Sequence, residues 1–290
     1  MDDMSADTLR RFMLENAHVR GEWLHLDNTW QEMLSRAAYP AFVKTILGEA
    51  LTAAVLLAAT IKHDGSLTLQ IRGDGPIHLL VIQATAEGTV RGLAQWSRDA
   101  DDLTLSALFG DAQLAITLES RNSNERYQSL IPLEGDTLSA ALEAYFERSE
   151  QLPTRLWLMS DDTAAAGILL QRLPLEEVNP EDWQRTSVLL DTLTREELVH
   201  LEPEEVLYRL FHEEDVRLFD AKDISFHCGC SRERVETMLR SLGQAEAETI
   251  LEEQGKIEII CEFCNANYTL DAVDTSLLFK PAMPTNDTLH

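Results

Sequence analysis

All four cysteines of this 290-residue chain fall in two short runs, "HCGC" at 227–230 and "CEFC" at 261–264. Cys228 and Cys230 form a C-x-C pair, and Cys261 and Cys264 form a C-x-x-C pair thirty residues further on. Two tight thiolate pairs suit a tetrahedral metal. Zinc takes four ligands with Zn–S near ~2.3 Å, which sets the sulfurs about 4 Å apart or less. Each pair costs little loop entropy, so the fold has only to bring one pair to the other. Gly229 allows the tight backbone path of a C-x-C run. Asn265, directly after Cys264, tolerates the left-handed conformation that a chelating knuckle often needs.

The pattern predicts a four-cysteine zinc site in the reduced protein, one ion per chain, held by Cys228, Cys230, Cys261 and Cys264. Three other readings compete. Structural disulfides need an exported chain. A thioredoxin-type exchange site places its C-x-x-C at the start of a helix in a βαβ context, whereas "CEFC" follows a strand pattern. His227 as a ligand is superfluous where four sulfurs fill the site. Spacing alone does not separate a static zinc staple from a redox sensor.

The elements around the cysteines can position them. Ser231 caps a predicted helix through Val235, Met238, Leu239 and Leu242, with Gly243 just past its end. That helix starts beside Cys228 and Cys230, so its N-terminal dipole favours thiolates there. A second helical stretch, "AEAETILEEQ", stops at Gly255, and "KIEIICEFCNANYTLD" reads as strand, knuckle, strand. Residues 225–290 are too few for a strong apolar core, so metal must supplement it.

Residues 1–174 read as a mixed helix and sheet domain. "TLRRFML" and "TWQEMLSRA" have helical spacing, and Phe42–Ile61 suggests a long buried helix. "SLTLQIRG", "GPIHLLVIQA", "TVRGLAQW", "AQLAITLES" and "RYQSLIPL" read as successive strands, separated by turn material such as "GDG" and "AEG". "TLSAALEAYFERSE" is helical, then "TRLWLMS" and "AGILLQRL" return to strand. The expectation is an α+β fold with a largely antiparallel sheet.

From 175 to 224 an acidic helical linker is predicted. Residues 175–220 hold 14 acids against 4 arginines. Asn179 caps a helix with Pro180 at its first position, "TREE" at 194–197 has capping-box spacing, and Val206, Leu207, Leu210 and Phe211 form an apolar stripe. Pieces this short depend on docking their apolar faces. They read either as an ordinary packed connector or as a metastable linker able to release those faces.

Charge narrows the partners. Fifty acidic against 24 basic residues give a net charge of −26, which disfavours nucleic acid and anionic membrane surfaces. The apolar run "ALTAAVLLAATI" falls short of the roughly 18–20 residues a membrane span needs, and reads as a core helix. The first residues do not resemble a secretory signal, so a reducing cytoplasm is expected.

With these motifs in view, the chain resembles the bacterial redox-regulated molecular chaperones of the 33-kDa heat-shock family. The resemblance spans nearly the whole chain. It is carried by "DGSLTLQIRGDGP" (64–76), "LEGDTLSAALEAYFERSEQLPTRL" (133–156), "LYRLFHEEDVRLFD" (207–220), "CGCSRER" (228–234) and "CEFCNANY" (261–268). Some relatives have a further cysteine after "EGDTL", where this chain has Ala140 and Ala141.

The resemblance implies a cytoplasmic, ATP-independent holdase that is inactive while reduced and zinc-bound. It implies that oxidation forms the disulfides Cys228–Cys230 and Cys261–Cys264, releases zinc and unfolds the linker. Dimers then hold unfolding clients and pass them to an ATP-dependent foldase system. An enzyme is the rival class, but no P-loop, dinucleotide fingerprint, G-x-S-x-G or H-E-x-x-H occurs. A zinc-stapled adaptor or transcription module is disfavoured by the charge.

Overall fold

Thr8–Leu14 (β1) is a strand rather than the helix its spacing predicts, because it is buried on both faces. Leu9 packs into one apolar cluster while Phe12 and Leu14 pack into another. Apolar residues at such positions imitate helical spacing, whereas a strand with one solvated face alternates. The computed structural model describes residues 7–61, 64–123, 125–174 and 179–280. The opening residues, the start of the acidic segment at 175–178 and the last ten positions lie outside these.

After β1 come β2 (Val19–Leu26), α1 (Asn28–Leu34) and the long α2 (Ala41–Thr60). Next are β3 (Ser66–Arg72), β4 (Ile77–Thr85), β5 (Thr89–Trp96), α3 (Leu105–Phe109), β6 (Gln113–Glu119) and β7 (Arg126–Pro132). Helix α4 (Leu138–Tyr145) runs on through a π-helical turn at Phe146–Glu150 to β8 (Thr154–Ser160) and β9 (Ala165–Arg172). The acidic segment supplies α5 (Pro180–Leu190), α6 (Arg195–His200) and α7 (Pro203–Phe211), then β10 (Val216–Asp223) and β11 (Ser225–Phe226). The remaining elements are α8 (Arg232–Leu242), α9 (Gln244–Gln254), β12 (Ile257–Ile260), β13 (Asn267–Leu270) and α10 (Ala272–Leu278). The chain divides into two units between His227 and Cys228.

The first unit is α+β, as expected. One sheet has the order β10-β1-β2-β9-β8 and the other β11-β5-β4-β3-β6-β7. Neighbouring strands are antiparallel except the short β11, which lies parallel to β5. Helix α2 packs against strands of both sheets. Its sequence has the length and composition of a membrane span, yet 72% of that window is buried inside the protein. Close approach to the first sheet depends on glycine. A Cβ on Gly48 would meet Ser160 Cβ at 2.3 Å, and one on Gly167 would meet Thr52 Cγ2 at 2.4 Å.

The other face of the first sheet is covered by the acidic segment. Leu190, Leu193, Leu198, Val199, Val206, Leu207, Leu210 and Phe211 are buried in one cluster with Phe12, Trp23, Ile168 and Leu170. The capping signals hold. The Asn179 side chain accepts from the Glu181 N–H, and Thr194 and Glu197 form a reciprocal capping box. Polar ties add to the burial: Arg155 to Asp191 at 2.9 Å, Arg10 to Glu204, and the His25 ring to the Val199 carbonyl at 2.9 Å.

The end of that segment is a strand that helical patterning did not foresee. β10 pairs with β1 in the first sheet, and two residues later β11 pairs with β5 in the second. Residues 216–226 thus stitch the two sheets together just before the first cysteine.

The second unit has a small core of Val235, Leu239, Ala247, Ile257, Leu270 and Leu278. Met238 and Leu242 are 50% and 51% exposed, because only the Val235–Leu239 row of α8 faces inward.

Candidate metal centre

Each cysteine pair is held by a local device. Before α8, the Ser231 side chain accepts from the Arg234 N–H, which fixes where Cys228 and Cys230 leave the helix start. Gly229 does not take a left-handed conformation. A Cβ there would lie 3.1 Å from Arg234 Nη1, so the glycine leaves room for a guanidinium rather than for a bend. The second pair sits on the turn between β12 and β13. There the Asn265 N–H donates to the Cys261 carbonyl at 2.7 Å and the Cys261 N–H to the Ala266 carbonyl at 2.9 Å. Asn265 adopts φ 58°, the left-handed value its identity suggested.

The four sulfurs lie within 4.8 Å of one another. Cys228 and Cys261 Sγ are 3.6 Å apart, and Cys230 and Cys264 Sγ 3.3 Å apart. Four zinc–sulfur bonds of about 2.3 Å in a tetrahedron call for similar separations, so the residues fit the ion. Among the described residues this is the one group of histidine, cysteine or carboxylate side chains gathered closely enough to hold a metal. His227 is not in it. Its N–H donates to the Val90 carbonyl in the first unit.

The four thiols sit in unequal surroundings. Burial pushes Cys228 up, but the Cys230 N–H and the neighbouring sulfurs outweigh it and lower the thiol to about 7. Burial pushes Cys264 up to about 12, and it raises Cys261 as well. One participant carried no sequence signal: the Tyr268 hydroxyl donates to Cys230 Sγ at 3.1 Å. That bond, then burial, pushes the phenol up to about 12. No spacing rule singles out an aromatic four residues past a knuckle, and only the β12–β13 register aims it at the sulfur.

The fold and site define a class: an α+β unit of two sheets with a long helix packed on both, followed by a small unit whose four thiols are gathered closely enough for a metal. Residues 7–271 match the family model described as Hsp33 protein, and the chain belongs to that family. It is 48% identical over 286 residues to the 33 kDa chaperonin of Nitrosococcus oceani, covering 98% of this chain and 99% of the relative. It is likewise 48% identical over 275 residues to the 33 kDa chaperonin of Chromobacterium violaceum, covering 94% of each. The crystal structure of the Thermotoga maritima 33 kDa chaperonin, a heat shock protein 33 homolog, superposes with a TM-score of 0.80 at 25% identity. That match covers 94% of this chain and 98% of the other.

Proposed function

We propose that this protein is an ATP-independent holdase whose four-cysteine unit is a zinc-loaded redox switch. The observation that carries the reading is the gathering of all four cysteines of the chain into one site, in a unit whose described residues include a buried cluster of only six. Bound there, zinc would keep the four sulfurs as thiolates and supply the stability that so small a core lacks.

Oxidation removes the ligands. A thiolate that attacks a peroxide becomes a sulfenic acid, and a second thiolate displaces hydroxide from it to form a disulfide. Two disulfides leave no thiolate to hold a metal. The pairings proposed are Cys228–Cys230 and Cys261–Cys264. The short distances of 3.6 and 3.3 Å run across these pairs, so proximity in the folded unit does not select them. Chain separations of two and three residues do, once the unit loosens.

Loss of the second unit then frees the chain end at Cys228, next to the strands that stitch the sheets. Helices α5–α7 have 11, 6 and 9 residues and depend on their docked apolar faces. Residues 175–224 act as the metastable linker in this reading, between a chaperone domain at 1–174 and the switch at 225–290. Undocking exposes Trp23, Ile168 and Leu170 on the sheet and Leu207 and Phe211 on the helices, which offers apolar surface to unfolding clients. The active form is a homodimer in the cytoplasm that hands clients to an ATP-dependent foldase, without nucleic-acid or membrane partners.

The test is light scattering from a chemically unfolded client, without nucleotide. Reduced, zinc-loaded protein is expected to leave aggregation unchanged, and protein treated with peroxide under mild heat to suppress it. Equal suppression in both states would reduce the protein to a constitutive binder.

A further inference from the structure

We propose that the Tyr268 hydroxyl sets how readily Cys230 is oxidised, by donating a hydrogen bond to its sulfur from outside the ligand set. The inference rests on the redox reading above. The hydroxyl lies 3.1 Å from Cys230 Sγ. Its position is fixed, because Tyr268 pairs with Ile259 across the β12–β13 ladder and its ring packs against the small core.

The other three sulfurs draw donors from the backbone. The Cys230 N–H serves Cys228, the Cys264 and Phe263 N–H groups serve Cys261, and the Ala266 N–H serves Cys264. Those donors belong to the chelating turns and no side-chain substitution removes them. Tyr268 gives Cys230 an equivalent donor from a side chain, so this sulfur's reactivity is set separately from the turns.

A donor bond withdraws electron density from a thiolate and lowers its nucleophilicity. In the step concerned, the Cys230 thiolate attacks one oxygen of hydrogen peroxide. The O–O bond breaks, hydroxide leaves and Cys230 becomes a sulfenic acid. The Cys228 thiolate then attacks that sulfur and displaces a second hydroxide to give the disulfide. The two thiolates lose two electrons in all, and the peroxide gains them as two hydroxides. Removing a donor of ordinary strength, scaled by the known dependence of thiolate nucleophilicity on basicity, should speed the first step about three- to tenfold.

The experiment uses the full chain, reduced and zinc-loaded, as wild type, Tyr268→Phe and Tyr127→Phe. Tyr127 is an exposed tyrosine on β7, in the first unit, and serves as the control. Hydrogen peroxide is added, samples are quenched by alkylation, and oxidation at Cys230 and Cys264 is followed by peptide mass spectrometry. Metal release is read in parallel with a chromogenic chelator, and the alkylation rate of Cys230 is measured in metal-free reduced protein.

Tyr268→Phe should raise the Cys230 oxidation rate about three- to tenfold relative to Cys264, and Tyr127→Phe should change nothing. Should Tyr268→Phe bind zinc poorly, 3-fluorotyrosine at 268, a stronger donor of nearly the same shape, must slow Cys230 instead. Unchanged Cys230 selectivity in both substituted proteins overturns the inference. Wild-type protein that loses neither thiols nor metal to peroxide overturns the redox reading itself, a separate result.

Discussion

Leu51 on α2 lies between two sheets with no solvent exposure, in a cluster that draws on both sheets and on α1–α4. Among the described residues of the second unit six apolar residues form the buried cluster, and four half-buried sulfurs converge beside them. The first arrangement holds itself together by excluded water. The second has so small an apolar core that the proposed function ties its folding to the state of its thiols. Under the proposed function, stability in one region is a property of packing, and in the other a property of redox and metal conditions. A sensor needs that contrast within one chain.

The largest expected effect breaks the contrast from the metal side. Chelating zinc from reduced protein should remove support worth about 10–16 kcal/mol, and Cys230→Ser, which takes away one of four ligands, should remove part of it. Hydrogen exchange should show residues 228–280 losing protection while β3, β4 and β6 keep theirs. Elemental analysis with thiol titration should find one zinc and four thiolates per reduced chain.

The reciprocal change is Leu51→Ala, which should cost the first unit about 2–5 kcal/mol through the cavity it leaves. All five tryptophans lie before residue 228, so their fluorescence during urea unfolding reports that unit alone. The loss should be the same with and without metal.

A smaller effect concerns the docked helices. Burial raises Glu49 on α2 to about 7, although Arg195 at the start of α6 opposes the shift. Its folded value lies above the unfolded one, so the folded protein gains stability as pH falls from about 7 towards 4.5 and loses it above. Glu49→Gln should stabilise the first unit by on the order of 2 kcal/mol at pH 8 and barely at pH 4.5, as measured by melting at both. Smallest is Thr194→Ala, which removes the α6 capping box and should cost about 1 kcal/mol. Exchange should quicken in α6 without change in zinc content.

The same contrast explains what the sequence disclosed. The second sheet buries one face against α2, so Leu67, Leu69 and Ile71 alternate with half-exposed neighbours and announce a strand. The first sheet is covered on both sides, which gave β1 a helical look, whereas β10 lies at its edge with five of eight residues exposed and so has no clear apolar pattern. The cysteine site was legible because its ligands come in close pairs and the left-handed turn needs a residue like Asn265. Tyr268 and the Arg234–Gly229 contact were not, since both depend on strand register and side-chain reach rather than on spacing.

The most direct test of the account follows hydrogen exchange across 179–227 and client aggregation in the same samples, before and after peroxide with mild heat. The account predicts that α5–α7 lose protection as aggregation suppression appears, while β3, β4 and β6 stay protected. Full protection of α5–α7 in oxidised protein that nonetheless suppresses aggregation would contradict it.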